Sequence, residues 1–112
     1  NVAPYEDDVW SHKKLKNVVS HTEIERTKLL QILDECKLTD AIRYFVNPPK
    51  NIFTWWSYRS PNFEINDRGR RLDHILISTS MKNQLVGSKI LKKFRKKEKP
   101  SDHVPICLEL DG

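Results

Sequence analysis

The sequence predicts a mixed α and β fold (α/β or α+β) with several strands and one well-defined helix. Three observations carry this prediction: a helix-capping signal followed by apolar residues at helical spacing, a segment rich in aromatic and β-branched residues, and later segments in which apolar and polar residues alternate. The chain has 112 residues, of which 38% are hydrophobic, so it can bury one modest core. We therefore expect one domain or part of one.

The first predicted element is a helix that begins after Thr22. Residues 5–21, which are first acidic and then basic, are expected to form a loop before it. Glu25 follows Thr22 by three residues, and at this spacing each side chain can accept a hydrogen bond from the other's backbone N–H. Apolar residues at helical spacing then continue the helix to about Lys37. Residues 47–49 (NPP) should end the next short apolar segment, because proline has no backbone donor.

Four later segments are predicted to be strands. Residues 52–58 are rich in aromatic and β-branched side chains, and residues 71–77 are nearly continuously apolar after their start, which is typical of a central strand covered on both faces. Residues 86–94 and 104–110 alternate between apolar and polar side chains. Pro105 cannot donate to a ladder, so the last strand is expected to be an edge strand or to contain a bulge.

The charge distribution indicates a polyanionic partner. The formal net charge is +5, and basic residues concentrate in one run near the end of the chain: Lys92, Lys93, Arg95, Lys96, Lys97 and Lys99. A cluster of this kind is suited to contacting several phosphates, whereas a small phosphate ester offers too few.

The cysteines and the apolar runs indicate the compartment. Cys36 and Cys107 have no paired spacing and lie in apolar contexts, so we expect buried free thiols in a reducing compartment. A zinc site built from His12, His21 or His74 with Cys36 is disfavoured, because the ligand spacing is absent. No apolar run approaches the ~20 residues of a membrane span. We expect a cytoplasmic protein without a membrane partner.

Residues 100–103 (PSDH) combine a carboxylate and an imidazole just before the last predicted strand. Because histidine titrates near neutrality and aspartate does not, Asp102 and His103 can supply a proton donor beside a fixed negative charge. The preceding basic run indicates that the group acted upon is a phosphate. A serine hydrolase built on Ser101 and His103 is disfavoured, since neighbours on one loop leave no room for the substrate between them.

Asp73, at the start of the predicted strand 71–77, has two interpretations. It is either a solvated charge or partner of Arg71, or a functional acid that needs a partner because burying a lone carboxylate is costly. His103 is the natural candidate if the two strands are neighbours, and such a pair would fix the imidazole tautomer. Asp102 could then help to hold a divalent cation, because hard oxygen ligands suit Mg²⁺.

Two adjacent tryptophans add a feature of the sequence beside the Asp73, Asp102 and His103 side chains. Neighbouring residues on a strand point to opposite faces, so Trp55 and Trp56 are not expected to fill the same core. One ring is expected to be buried, and the outward ring, near Arg59, is suited to stacking on a nucleic-acid base or sugar.

Taken together, these motifs resemble a known family. Residues 55–59 (WWSYR), 68–73 (RGRRLD) and 99–105 (KPSDHVP) resemble, in order and spacing, the C-terminal half of exodeoxyribonuclease III, the bacterial apurinic/apyrimidinic endonuclease family of the DNase I-like phosphodiesterase superfamily. Residues 1–4 (NVAP) resemble the residues that come after the glycine–aspartate pair of the family's Gly-Asp-Phe-Asn motif. Two positions depart from the family: Ser57 stands where an aspartate is frequent, and Arg70 replaces a usually apolar residue.

The resemblance implies a four-layer α/β sandwich of two packed sheets flanked by helices. Residues 1–112 would form the C-terminal half of this endonuclease/exonuclease/phosphatase domain, with the N-terminal half, its general-base aspartate and its metal-binding glutamate absent from this chain. By resemblance, Asn1 contacts the reacting phosphate, Asp73 supports His103, and His103 binds or protonates the phosphate. Asp102 would lie near the metal, which is expected to be Mg²⁺ or alternatively Mn²⁺.

The implied activity is that of a DNA repair nuclease. It would cleave the phosphodiester 5′ to abasic sites and remove 3′-terminal nucleotides or blocks from double-stranded DNA, with the isolated chain inactive and the complete protein in a bacterial cytoplasm beside the nucleoid. The expected DNA contacts are Trp56, Tyr58, Arg59, Arg70, Lys96 and Lys97. Two alternatives remain open: a non-catalytic DNA-binding fragment, and a phosphodiesterase of the same superfamily that acts on a substrate other than DNA.

Overall fold

The structure, a computed structural model, describes residues 1–46, 49–59 and 62–112, and these contain both helices and strands. The predicted stop before the aromatic segment falls on Asn47 and Pro48, which lie outside the described residues. The helices are α1 (His12–Leu15), α2 (Glu23–Glu35), α3 (Ala41–Tyr44) and α4 (Phe63–Asn66), with 3-10 turns at Glu6–Asp8, Thr79–Gln84 and Lys92–Lys96. Within the described ranges, no helix has the length and apolar character needed to cross a membrane.

The strands form two antiparallel pairs in the described part of the chain. Strand β1 (Leu38–Asp40) pairs with β2 (Leu76–Ser78), and β3 (Leu85–Ile90) pairs with β4 (Ile106–Leu110). Helix α2 precedes β1 in sequence and leads almost directly into that strand. Most of the residues singled out in the sequence lie between α3 and β2, or between β3 and β4.

Helix α2 confirms the predicted helix and its start. Thr22 is the residue before the helix; its Oγ1 accepts a hydrogen bond from Glu25 N at 3.3 Å, and Glu25 Oε1 accepts one from Thr22 N at 3.3 Å. The reciprocal bonds satisfy two of the backbone donors that every helix start leaves without partners. The helix ends at Glu35, two residues before the predicted end, and buries Leu33.

The predicted strand over residues 52–58 is wrong, and the predicted strand over 71–77 is largely so. In the first segment Trp55 makes only isolated bridges, and in the second only β2 (Leu76–Ser78) is a strand. The residues of β2 alternate between exposed and buried, so this strand is not covered on both faces. The physical reason is that the backbone groups of these segments form hydrogen bonds with one another and with a loop at isolated residues. They do not form the regular repeat of a β ladder.

The two later strands are confirmed with shorter bounds. Strand β3 ends at Ile90 and is followed by the turn Lys92–Lys96, and β4 begins only at Ile106. Pro105 precedes β4, so its missing donor costs no ladder bond, and its carbonyl accepts from Leu91 N at 3.0 Å. Within the described residues this sheet has two strands, so β4 lies at an edge, as predicted.

The first segment also differs from the prediction. Residues 5–21 are not simply a loop, because they contain the 3-10 turn Glu6–Asp8 and helix α1, whose start is capped by Ser11 Oγ accepting from Lys14 N at 3.3 Å. These elements are one turn long, which is too short for hydrophobic periodicity to reveal them.

The core beneath the aromatic segment requires a glycine. Phe53, Trp56 and Val104 form one buried cluster, and a Cβ at Gly69 would lie 2.6 Å from Phe53 Cβ. Any larger residue would therefore force the turn at 69 away from the core. A second buried cluster contains Ala3, Val9, Leu15 and Leu72. The two clusters support the segments that carry the site.

A fully buried arginine connects the beginning of the chain to β1. Arg71 donates to Asp8 at 2.7 and 3.0 Å and to Asp40 at 2.8 and 2.5 Å, and Asp8 also accepts from Arg43. Burial alone would lower the pKa of Arg71, but the hydrogen bonds to Asp40 and Asp8 raise it above its ordinary value. The guanidinium therefore stays charged and holds three segments together.

The prediction of buried thiols is wrong. Cys36 and Cys107 are both free, as expected, but both are exposed. Cys36 lies just after the end of α2, and Cys107 lies on β4 between two partly buried residues, Ile106 and Leu108. An apolar neighbourhood in the sequence therefore did not indicate burial at either position.

Candidate active site

Three irregular segments lie side by side and bring the predicted site residues together. Thr54 N and Trp55 N donate to Arg70 O, and Arg70 N donates back to Trp55 O. On the other side, Trp56 N donates to Asp102 O at 3.0 Å and Val104 N donates to Thr54 O at 2.9 Å. Residues 54–56 therefore lie between the segment that precedes Asp73 and the loop that carries His103.

Asp73 and His103 are hydrogen-bonded partners. His103 Nδ1 lies 2.7 Å from Asp73 Oδ2, and both side chains are about one-third exposed. The alternative pairing of Asp73 with Arg71 is wrong, because the donors of Arg71 are directed to Asp8 and Asp40. The geometric part of the sequence prediction is therefore confirmed.

Thr54 completes this pair from the buried side. Its Oγ1 donates to Asp73 Oδ2 at 2.7 Å and accepts from Leu72 N at 3.0 Å and Asp73 N at 3.1 Å. The threonine is fully buried. It fixes both the backbone and the carboxylate of Asp73, which leaves the carboxylate one orientation toward the imidazole.

The Asp73 contact determines which nitrogen of His103 is free. A carboxylate only accepts, so the hydrogen-bond network assigns a proton to Nδ1. The other nitrogen, Nε2, lies 3.9 Å from Asp102 Oδ1, which is too long for a hydrogen bond. In its cationic form the ring can therefore donate from Nε2 to an incoming oxygen while Asp73 holds the opposite side.

Asp102 lies beside the pair and contacts the aromatic segment. Its Oδ2 accepts from Trp55 Nε1 at 3.1 Å. Among the described residues, no three His, Cys, Asp or Glu side chains lie close enough together to hold a metal ion. The residues present do not fit a complete divalent-cation site, since Mg²⁺ needs about six oxygen ligands. Asp102 can contribute one of them.

Asn1 is exposed, and its position follows from the next two residues. His74 Nε2 contacts Val2 O at 2.6 Å, and His21 Nδ1 contacts Ala3 O at 2.7 Å. Because His74 directly follows Asp73, the segment that carries Asn1 is attached to the segment that carries the carboxylate.

An aromatic and basic pocket adjoins the pair through Trp55. This cavity of about 400 Å³ is lined by Trp10, Trp55, Ser57, Arg59, Asn66, Arg68 and Arg70. The guanidinium of Arg70 lies 5.2 Å from the Trp55 ring, and that of Arg68 lies 4.9 Å from the Trp10 ring. Positive charge over aromatic faces suits an anionic, partly apolar ligand.

Trp56, which was expected to contact DNA, does not present an outward ring. Trp56 is 0% exposed, its Nε1 donates to Asp67 at 3.1 Å, and its ring packs against Phe53 and Phe63. Further chain added to the protein can only lower exposure, so a direct ligand contact from this ring is excluded in this conformation. Trp55 is the partly exposed ring of the two.

The remaining predicted contacts lie on the surface. Tyr58 is 64% exposed and lies under the Arg95 guanidinium at 5.4 Å, and Arg59 is exposed at the rim of the pocket. Lys96 forms an exposed ion pair with Glu64 at 3.1 Å, and Lys97 lies 4.2 Å from the Phe94 ring. Exposed ion pairs are weak, so Lys96 remains able to contact a phosphate.

Sequence reasoning missed four residues of the site: Thr54, Trp10, His21 and His74. Thr54 resembled an ordinary β-branched strand residue, and the histidines were considered only as zinc ligands. Their contacts join positions far apart in the chain, and no local pattern signals such contacts. The adjacency of His74 to Asp73 was the one available clue.

Comparisons with known proteins agree with this geometry. No protein-family model matches the chain. Exodeoxyribonuclease III of Haemophilus influenzae is 44% identical over 80 residues, which are 70% of this chain and 29% of that protein. An AP endonuclease from Archaeoglobus fulgidus superimposes with a TM-score of 0.92 at 34% identity, over 99% of this chain and 42% of the other. The 3′ phosphatase NExo from Neisseria, bound to product DNA hairpin, gives 0.88 at 34% identity, over 100% and 42%.

These matches define the class of protein first: the fold is that of the DNase I-like nucleases, as a mixed α and β part of that fold. More narrowly, the chain belongs to the exonuclease III/AP endonuclease family. It spans less than half the length of the curated relatives it matches.

Proposed function

We propose that the complete protein is a DNA repair nuclease that cleaves the phosphodiester 5′ to abasic sites and removes 3′-terminal nucleotides or blocks. The observation that carries this proposal is the Asp73–His103 contact of 2.7 Å, with Nε2 left for a substrate oxygen beside the Trp55 pocket. The relatives named exodeoxyribonuclease III and AP endonuclease support the same reaction class.

In this proposal the cationic His103 acts on the scissile phosphate. Nε2 donates to a phosphate oxygen or the leaving oxygen, where negative charge develops during attack by water. Asp73 stabilises the imidazolium and fixes its orientation, and Thr54 fixes Asp73. Asn1 contacts the same phosphate and helps to orient the water.

Mg²⁺, or alternatively Mn²⁺, belongs to the proposal for the complete protein only. Asp102 is the ligand that this chain would contribute, and the others would come from an N-terminal half. We assign residues 1–112 to the C-terminal half of the domain, with that N-terminal half as its partner and the isolated chain inactive. An enzyme of this kind would work in the bacterial cytoplasm beside the nucleoid.

Double-stranded DNA is the proposed substrate because the contacts extend over a wide surface. Trp55, Arg59 and Arg70 would hold the abasic nucleotide or the 3′ end, with Tyr58 at the rim. Lys96 and Lys97 would contact phosphates further along the duplex, since a cluster of cations suits a polyanion. A phosphodiesterase for a small substrate would not need this second surface.

A non-catalytic DNA-binding fragment is the second candidate. It is favoured by one observation: the described residues lack a complete cation site. It does not explain why Asp73 and His103 are held together by the buried Thr54, because binding alone needs no oriented imidazole.

The test is cleavage of a labelled abasic duplex by the complete protein with and without Mg²⁺, and by the 112-residue chain with and without the N-terminal half added. We expect cleavage by the complete protein, none by the chain alone, and partial recovery on adding the missing half. The exposed variant Lys89→Ala on β3 is the control and should cleave normally. DNA binding without cleavage by the complete protein would favour the second candidate, and robust cleavage by the chain alone would contradict the assigned site.

A further inference from the structure

We propose that His21 and His74 are positioning residues, a histidine clamp that holds the two carbonyls after Asn1 and so fixes Asn1 relative to the Asp73–His103 pair. This inference rests on the proposed nuclease function. His21 and His74 lie far apart in sequence, yet they contact successive carbonyls of one segment.

The first half of the clamp is directly coupled to the catalytic carboxylate. His74 Nε2 lies 2.6 Å from Val2 O, and His74 is the residue after Asp73. A carbonyl only accepts, so Nε2 carries the proton. Any displacement of the Asp73 backbone would therefore move Val2, and with it Asn1.

The second half holds the next residue from another segment. His21 Nδ1 lies 2.7 Å from Ala3 O, and Ala3 N donates to Ser20 O at 2.8 Å. Both His21 and Ala3 are 0% exposed. Ala3 is thus held at its donor and its acceptor, which leaves the exposed Asn1 side chain on a backbone with little freedom.

A chain of hydrogen bonds fixes the tautomer of His21. Its Nδ1 must donate to Ala3, so in the neutral ring Nε2 accepts, and His12 Nδ1, at 2.8 Å, must be the donor. His12 Nε2 lies 3.4 Å from Glu6 Oε1. The exposed carboxylate of Glu6 and the buried carbonyl of Ala3 are therefore linked through the two imidazole rings.

Both rings can donate to their carbonyls in the neutral and in the cationic form, and burial favours the neutral form. Burial lowers the pKa of His21, and the hydrogen bond to Ala3 O opposes this effect. Arg26 and His12 act in the same direction as burial, whereas Asp8 opposes it. Burial also lowers the pKa of His74, and Arg71 acts in the same direction. The hydrogen bond to Val2 O opposes this effect, as do Asp40 and Asp8. A second proton on His21 would change only the contact between its Nε2 and His12 and would leave the Nδ1 donor to Ala3 O in place.

A metal site is the competing interpretation of the His12–His21 pair. Their nitrogens are 2.8 Å apart, which is a hydrogen-bond distance, and the described residues supply no third ligand. The orientation of the two rings, at 89° to each other, fits one lone pair accepting one N–H. The pair therefore belongs to the hydrogen-bonded chain that ends at Ala3.

Matched substitutions separate the donor from the bulk of each ring. The amide nitrogen of His74→Gln can replace Nε2, and that of His21→Asn can replace Nδ1, whereas His74→Leu and His21→Leu keep similar volume without a donor. In the complete protein on an abasic duplex, we expect each Leu variant to lower the saturated single-turnover rate roughly 10- to 100-fold, as expected for a misplaced group. The DNA dissociation constant should stay within about two-fold, and the Gln and Asn variants should recover most of the rate.

Folding and protonation are measured on the same samples. The ¹⁵N imidazole spectrum of the wild type should show the proton on Nε2 of His74 and on Nδ1 of His21, whether or not the protein cleaves DNA. If a Leu variant unfolds, the matching variant that keeps the donor (His74→Gln or His21→Asn) is compared with the wild type instead. Full activity of that variant supports the clamp. Loss of its activity at native stability overturns the clamp. Folded Leu variants with unchanged rates, or the opposite tautomers, would also overturn it. Loss of cleavage by the wild type would instead count against the proposed function.

Discussion

Thr54 donates a 2.7 Å hydrogen bond to the same Asp73 oxygen that His103 Nδ1 contacts. The carboxylate oxygen is thus shared between a buried hydroxyl and a partly exposed imidazole. This arrangement explains how a carboxylate at the beginning of an irregular segment keeps one orientation, and it places a residue of the core directly behind the proposed reaction.

Thr54→Val should weaken both stability and catalysis. The substitution keeps the shape but leaves Leu72 N and Asp73 N without their acceptor, so we expect a loss of about 1–3 kcal/mol in the free energy of unfolding. The single-turnover rate should fall roughly ten-fold as Asp73 gains freedom. Thr54→Ser retains the hydroxyl and is the control. Urea unfolding and single-turnover assays on both variants check this, and equal rates for Val and Ser would exclude a role for the hydroxyl.

His103→Ala should lower turnover on the order of 10²- to 10³-fold, the usual loss for one donor directed at developing charge. Asp73→Asn should cost less, because it disorients the ring without removing it. The two residues act as a unit, so the double variant should be little worse than His103→Ala alone. A double-mutant cycle of single-turnover rates measures this coupling. Strictly additive losses would show that the 2.7 Å contact has no part in catalysis.

Trp55→Ala should weaken DNA recognition, whereas Trp56→Ala should weaken the stability of the fold. Trp55 is partly exposed in the pocket, so its loss should reduce the preference for abasic over intact DNA by about ten-fold, in line with one lost stacking contact. Trp56 is fully buried, so its loss should destabilise the protein by about 3–5 kcal/mol. Competition binding and urea unfolding distinguish the two. A folded, stable Trp56→Ala with reduced DNA preference would show that this ring contacts DNA after all.

DNA binding should weaken as salt rises, with Lys96 and Lys97 each contributing to the slope. Each neutralised phosphate contributes about −0.9 to the slope of log K against log salt. Lys96→Ala and Lys97→Ala should each make the slope less negative by roughly this amount, whereas Lys89→Ala should not. Affinity titrations of the complete protein at several salt concentrations test this, and a slope unchanged in the Lys96/Lys97 double variant would remove these residues from the interface.

Stability should fall as the pH drops below about 6.5, the ordinary histidine value. Burial lowers the folded-state pKa of His21 and His74, so the unfolded chain binds more protons than the native one between the lowered values and 6.5. The free energy of unfolding then decreases as pH falls through that window. Urea unfolding at about pH 7.5 and about pH 5.5 measures the loss. A variant with both His21→Asn and His74→Gln should lose less over the same interval; an equal loss would assign the dependence to other groups.

Local chemistry explains the features that could be predicted. Helix α2 follows from the capping pair Thr22 and Glu25 and the apolar spacing after it, because these interactions lie within one turn. The pair of β3 and β4 follows from alternation, and the family follows from three short motifs in order. The run of basic residues near the end of the chain could also be recognised without the structure, because it depends only on which residues are neighbours in the sequence.

The tertiary structure decided everything that joins distant positions. Which tryptophan is buried depends on Gly69 and Phe53, the partner of Arg71 is Asp8 rather than Asp73, and no pattern near His74 reveals its contact with Val2. The segments at 54–56, 70–73 and 102–104 are joined by backbone hydrogen bonds at isolated residues. The alternation of apolar and polar residues that predicts a strand does not predict such isolated bonds. The sequence by itself therefore determined the capped helix, the alternating strands and the motifs that place the chain in its family. Only the fold decided which side chains meet, because contact between remote residues depends on packing of the whole chain.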